Sequence, residues 1–435
     1  MRRINKISLI ILCLLCFSLS ASEQPLTIPQ LLDIAFKNNP QTKSVWWNAQ
    51  RQAAAEGIAK SAYYPEVSLY GKAAHGYDYK YFNSNETVYT DFEAGLSLSY
   101  LLFDFGARDA DCQAAVAALM AADWQYNWAM QKVIFEVLNS LYLYYSAQEI
   151  LEARIASLED LKSTFESVEE LFRHGLRSIS DMHTIKATTA EAEMELILQK
   201  SAVAIALDNL NLSLSLPINS QLLLAPLEDP PIDLRPYGDI AALVREAECQ
   251  RADLQAKYAQ LNEKEAVLNK EKASYYPKLS FDGNVGVQHY LRDRGQGQDY
   301  NVALSFKLPL YNGGKADARK RVALADIEAA NFDIDQQRLA IAKEISVYNK
   351  QFEASQALFE VVKRYMLNAE QTFEGALERY KAGTISIFDL TAAQRLFAQA
   401  RIKRAEAKSS WYRDFAGLSF SMGVILKRGN LCASF

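Results

Sequence analysis

Few residue sets in this chain have the types and spacing that chemistry demands. Cys13 and Cys16 show the C-x-x-C spacing of half a zinc site, but no second half follows. His75 and His289 lie in or beside alternating segments, and His174 and His183 flank one turn-like motif, so the histidines form no spaced ligand set. Asp104-Phe105-Gly106 copies a kinase signature without a kinase lysine strand or catalytic loop. There is no G-x-S-x-G elbow and no phosphate-binding loop. These residues predict neither an enzyme nor a cofactor. What remains is a pair of acid-ended motifs with matching spacing: Gly175, Ser178, Asp181 and Gly383, Ser386, Asp389. A glycine closes a helix in the left-handed region, and a serine followed three residues later by an acid reads as a capping box. Both motifs are therefore expected to be turns between helices.

The chain that must carry them has 435 residues, half of them apolar and 23% charged, which predicts a folded protein. Lys+Arg 47 against Asp+Glu 52 argues against a nucleic-acid partner. Residues 1–22 read as a secretory signal peptide. Arg2, Arg3 and Lys6 precede an apolar run, and Ser20, Ala21 and Ser22 supply small residues for cleavage. Its removal would leave Cys112, Cys249 and Cys432, too few and too isolated for a disulfide framework. No later run reaches eighteen apolar residues, which leaves an exported soluble protein or a β-barrel protein.

The sequence repeats once. Ser61-Ala62-Tyr63-Tyr64-Pro65 returns as Ala273-Ser274-Tyr275-Tyr276-Pro277, 212 positions later. Leu102-Phe103-Asp104-Phe105-Gly106 returns as Leu310-Tyr311-Asn312-Gly313-Gly314, and the Phe172–Asp181 motif returns as Tyr380–Asp389, both at an offset of 208. Five prolines between Pro217 and Pro236 mark a linker. The expected organisation is a first repeat over 23–216, a linker over 217–238, a second repeat over 239–426 and a tail over 427–435.

Each repeat predicts two strands and a long helical hairpin. Val67, Leu69, Gly71 and Ala73 alternate with polar residues, as do Phe92, Ala94, Leu96, Leu98 and Tyr100. The second repeat alternates likewise from Leu279 to Val287 and from Tyr300 to Leu308. Period-two patterning suits a tilted membrane strand, and equally a half-buried sheet in a soluble domain. From Lys315 to Lys381 there is no proline and one glycine, enough for a rod on the order of 100 Å. Steps of three and four from Ile341 to Tyr380 meet apolar residues at eleven of twelve positions, and the same steps 208 residues earlier meet ten. Return helices are expected from about Asp181 to Ser215 and from about Asp389 to Phe420. Four strands cannot close a membrane barrel, because about eight is the minimum. Membrane strands would thus require an oligomer, of eight strands from two chains or twelve from three.

Leu308-Pro309-Leu310-Tyr311-Asn312-Gly313-Gly314-Lys315, the paired Tyr-Tyr-Pro turns and the Tyr-x-x-Gly-x-x-Ser-x-x-Asp tip together resemble the outer membrane efflux protein family, the TolC-like channels. The resemblance runs from Leu26 to about Phe420. It implies an α+β membrane protein: a homotrimer with a 12-stranded β-barrel in outer membrane lipid above a long periplasmic α-helical barrel. It also implies an exit duct for tripartite efflux pumps or type I secretion, with a periplasmic adaptor and an inner-membrane transporter as partners. On this reading Pro65, Pro277, Pro309, Gly313 and Gly314 make the helix–strand transitions, although Leu101 and Phe105 stand where the second repeat has Pro309 and Gly313. Asp181, Tyr380 and Asp389 would lie at the periplasmic aperture, with three copies of Asp389 forming an acidic ring. Gly175, Leu176, Gly383 and Ile385 would form the adaptor-facing tips. Some members place an arginine where Ile385 stands, so part of the closing lock is expected to be missing. A non-channel periplasmic coiled-coil scaffold is the alternative.

Overall fold

The computed structural model describes residues 25–78, 87–231, 239–291 and 296–425. The expected signal peptide and the expected tail lie outside them. Helices α1 (Ile28–Asn38) and α2 (Pro40–Ser61) lead into strands β1 (Glu66–Asp78) and β2 (Thr87–Phe103), then the hairpin α3 (Ala107–Arg173) and α4 (Ile179–Ser213). The second repeat follows the same order: α5 (Ile240–Gln250), α6 (Ala252–Ala273), β3 (Lys278–Leu291), β4 (Gln296–Lys307), α7 (Lys315–Lys381) and α8 (Ile387–Ser421).

The four strands form one antiparallel sheet in the order β1-β2-β3-β4. Glu66 faces Ser99 in the first hairpin, and Lys278 faces Lys307 in the second. These pairs are related by the same offsets, 212 and 208, that were read from the sequence. One face carries Leu69, Leu96, Val285, Tyr300, Val302 and Phe306, all large apolar side chains in the open. The other carries serines and acids. Asp282 accepts hydroxyl hydrogen bonds from Ser99, Ser280 and Ser305 at 2.9, 3.0 and 3.2 Å. β4 stops at Lys307, two residues before Pro309, which has no N–H for a ladder. Leu101 imposes no such stop, and β2 runs on to Phe103.

Both falling strands turn into helix through two consecutive left-handed residues. Gly313 and Gly314 have φ of +68° and +80°, while Phe105 and Gly106 have +56° and +87°. Phe105 thus adopts a conformation that normally favours glycine. Its ring stacks on Tyr276 at 5.2 Å and meets Phe103 edge-on at 4.7 Å, contacts that offset the strain. Asp104 accepts from the Arg108 N–H (2.8 Å), so it caps α3 as well. Arg108 in turn donates to the Leu101 and Ala62 carbonyls, tying the end of β2 to the turn that precedes β1.

The helices form a wall. α3 packs against α2 and α4 on one side and against α6 and α8 on the other, whereas α7 packs against α5, α6 and α8 on one side. This explains a difference between the two seams. On α7, nine of the twelve seam positions are buried and three are partly buried. On α3 only five are fully buried, because its core spreads to Ile134, Leu138 and Tyr142 on the face toward α8. An edge helix needs one stripe and an inner helix needs two. α7 and α8 meet tightly at Gly417, where an added Cβ would fall 2.3 Å from the Tyr348 ring.

The linker between the repeats is strapped across this wall. Tyr145 donates to the Ala225 carbonyl. Lys408 reaches the Leu227 carbonyl (2.6 Å) and Glu149 (2.7 Å), and Arg404 pairs with Asp229 (2.8 Å). At the junction of α5 and α6 a single cation gathers four elements. Arg251 is buried, pairs in fork geometry with Asp253 (2.9 and 2.6 Å), and binds Glu344 (2.5 Å) and the Ser421 carbonyl (3.0 Å). Its guanidinium lies 4.6 Å from the centre of the Trp128 ring. Replacing Arg251 by alanine strands two partly buried carboxylates, and the expected loss is about 3 kcal/mol in chemical unfolding of the detergent-solubilised protein. Lys37→Ala, at an exposed surface pair, should change stability by no more than about 0.5 kcal/mol.

Candidate functional site

The far ends of the two helical hairpins close in the same way. Gly175 and Gly383 have φ of +72° and +78°. The Leu176 N–H reaches back to the Leu171 carbonyl and the Thr384 N–H to the Arg379 carbonyl, each at 2.9 Å, which satisfies the last carbonyls of α3 and α7. The return helices then start from Ser178 and Ser386. At Ser386 the capping box is complete: its hydroxyl accepts from the Asp389 N–H, and Asp389 accepts from the Ser386 N–H at 3.1 Å. The box expected at Ser178 is only half formed. Its hydroxyl accepts from the Asp181 N–H and donates to Asp181 Oδ1 at 2.9 Å, but the carboxylate takes no bond from the Ser178 N–H.

The other carboxylate oxygen, Oδ2, faces across to the second hairpin. Tyr380, at the end of α7, is buried, and its hydroxyl donates to Asp181 at 3.3 Å. Arg177 completes the clasp, lying 4.2 Å above the Tyr380 ring and donating to the Tyr380 carbonyl. Burial first, and then the neighbouring Asp181 charge, push the Tyr380 phenol up to about 12. It therefore stays protonated and able to donate at any ordinary pH. Arg177 sits at the repeat position of Ile385, 208 residues earlier. The arginine absent from the second tip is thus present on the first, a swap that comparing the two repeats could have revealed.

Around the clasp, Leu161 and Val168 of α3, Met182 and Ile185 of α4, Phe373 of α7 and Leu390 of α8 form one core that joins both hairpins. Above it, Arg395 pairs with Glu191 (3.0 Å) and Arg401 with Asp160 (2.7 Å), again between hairpins. The four tip residues read from the sequence do not behave alike. Leu176 projects into the open, Gly175 and Gly383 form the turns, and Ile385 is partly buried against the tip core. Phe388, not singled out from the sequence, is exposed at the same end.

An amphipathic sheet continued by 67-residue helices that end in clasped tips defines the protomer of an outer-membrane duct. The chain belongs to the outer membrane efflux protein family, whose model matches residues 31–215 and 243–424. It is 24% identical to the protein CyaE of Bordetella pertussis over 86% of this chain and 79% of that one. To the outer membrane protein TolC of Vibrio cholerae it is also 24% identical, over 94% of this chain and 93% of that one. The solved structure of the outer membrane protein VceC from Vibrio cholerae superposes with a TM-score of 0.78 at 18% identity, covering 91% of this chain and 96% of that one. The sheet accordingly lies in the outer membrane and the helices in the periplasm.

The exposed cap at Ser386 has a pH signature. The Ser386 hydroxyl, and then its N–H, hold the Asp389 carboxyl below its ordinary value of 3.8. A depressed folded pKa adds stability above the unfolded value and loses it as pH falls through the folded one. Amide-exchange protection of residues 386–390, corrected for intrinsic rates, should therefore be level above about pH 5 and drop below about pH 4. In Asp389→Asn this step should vanish.

Proposed function

We propose that three copies assemble into a passive exit duct, with twelve strands closing one barrel and the helical walls closing one tunnel. The observation that carries this reading is a mismatch of burial between equivalent positions. Ile197 and Leu212 on α4 and Leu339 on α7 are 68%, 70% and 74% exposed, while their repeat counterparts Ala405, Phe420 and Gln131 are 4%, 6% and 5% exposed. Trp47 on α2 and Val322 on α7 are likewise open, where Ala259 and Ala114 are buried. The inner counterparts are covered because α3 meets α6 and α8. The outer ones need the same contact from a sister copy, with α7 against the partner's α2 and α4. Such a contact is head-to-tail, and it ends only by closing a ring.

In this assembly the duct takes cargo from an inner-membrane transporter through a periplasmic adaptor, as in a tripartite efflux pump or a type I secretion system. The family relationship and the full-length similarity to CyaE and TolC support that role. The tips form the gate. Asp181, Tyr380 and Arg177 hold each protomer's hairpins together, Asp389 contributes an acidic ring at the aperture, and Gly175, Leu176, Gly383 and Ile385 present the tips to the adaptor. Pro65, Pro277, Pro309, Gly313 and Gly314 serve as the transitions between barrel and tunnel.

The protein should need detergent for extraction and should run as a trimer in mild SDS, collapsing to single chains on boiling. A monodisperse single copy in plain buffer would end this reading. In planar bilayers Arg177→Ala, which removes both the stacking and the carbonyl contact, should raise resting conductance more than Tyr380→Phe, which removes one hydroxyl. Asp389→Ala should reduce cation selectivity; unchanged selectivity would dispose of the acidic ring.

A further inference from the structure

The two outer strands, β1 and β4, each have one hydrogen-bonded neighbour in the protomer. The internal repeat says how they meet between copies. β2 ends one repeat and β3 begins the next, and they pair with Ser97 opposite Asn284 and Ser99 opposite Asp282. β4 ends the second repeat, and the β1 of a neighbouring copy begins another. Because both hairpins share one internal register, the β2–β3 junction can be carried to the β4–β1 junction residue by residue.

From this we infer that β4 pairs with the β1 edge of a second copy with Ser305 opposite the partner subunit's Lys72, Ala303 opposite the partner subunit's Ala74, and Lys307 opposite the partner subunit's Tyr70. The inference rests on the assembled-duct reading and specifies its interface. Three observations support it. Every lipid-side residue of β4 meets a lipid-side residue of β1, since a slip of one would turn Lys72 into the hydrocarbon. The large outward side chains Phe306 and Leu304 fall opposite the partner subunit's Gly71 and the partner subunit's Ala73, a large-against-small match along the new seam. The helices agree as well. The offset of 208 brings Leu339 and Val322 to the places where Gln131 and Ala114 are already covered in the inner seam.

Charge alone would choose a different register. Lys278 and Lys307 stand directly opposite each other, exposed, with no ion pair to either among the described residues. Sliding the partner by four residues would set the partner subunit's Glu66 against Lys307. That slip moves the edges by about 13 Å along the strand and takes the helical seam out of register with it. Packing over the length of the wall outweighs one exposed ion pair, which contributes about 1 kcal/mol at most.

Cysteine crosslinking in the intact outer-membrane protein, with Cys112, Cys249 and Cys432 replaced by serine, separates the two registers. Oxidation of Ser305→Cys/Lys72→Cys should convert most of the protein to covalent dimers and trimers on a boiled, non-reducing gel. Lys307→Cys/Glu66→Cys should give under a tenth of that yield. Ala303→Cys/Ala74→Cys, a milder change, should crosslink like the first pair and stands in for it if that variant does not fold. Efficient linkage through Glu66, or no linkage of either expected pair in a trimer that still resists mild SDS, overturns the register and leaves the duct reading intact. Loss of the SDS-resistant trimer in the cysteine-free parent is a failure of the duct reading itself.

Discussion

A backbone amide has no water to bond to in hydrocarbon, and each one left unpaired costs several kcal/mol. Everything above the periplasm in this protein follows from that constraint. The sheet pairs twelve or thirteen residues at each of its internal junctions, yet it begins and ends with open edges. A single chain therefore cannot be the unit that sits in the membrane. The outward face is apolar and the inward face is rich in serine and carboxylate, an arrangement that only makes sense once the sheet curls round a wet interior.

The helices answer a related need in water. A 67-residue rod with an apolar stripe must cover that stripe along its whole length. α7 covers one side with α5, α6 and α8 and leaves the other side open, just as β4 leaves an edge open above it. Strand edge and helix edge fall on the same flank of the protomer, so one contact between copies covers both. Duplication explains why the flanks match. The chain already contains one such contact, between its own two repeats, with ion pairs such as Lys270–Asp111 (2.5 Å) and Arg401–Asp160 added across it.

Much of this was legible in the residues. The offsets of 208 and 212 located the hairpins, the tip glycines and both seams, because helix and strand periods survive duplication even where identities drift. The Lys315–Lys381 rod matched the helix end for end. Less legible were features that depend on what lies across space. Arg177 carries no local signature, and its role arises only when the other tip brings Tyr380 beneath it. The Ser178 box looked complete in sequence but is half formed: Asp181 is shared between the Ser178 hydroxyl and Tyr380 across the gap, and leaves the Ser178 N–H out. Phe105 accepts a glycine's backbone conformation because Tyr276, 171 positions later, offers a ring to stack on. Arg251 lies in no motif of the sequence, and its role arises only where four elements converge on it.

The strap formed by the linker changes what the lower helices can do. Among the described residues its lowest attachment to α8 is Arg404, some seventeen residues above the start of that helix at Ile387. Over that stretch the described ties between the two hairpins are two salt bridges, the Arg177–Tyr380–Asp181 clasp and the tip core, and above it they are belted together. The belt sets a fulcrum. With a lever arm of about 25 Å, a tilt of about 10° at that height swings the hairpin tips sideways by roughly 4 Å.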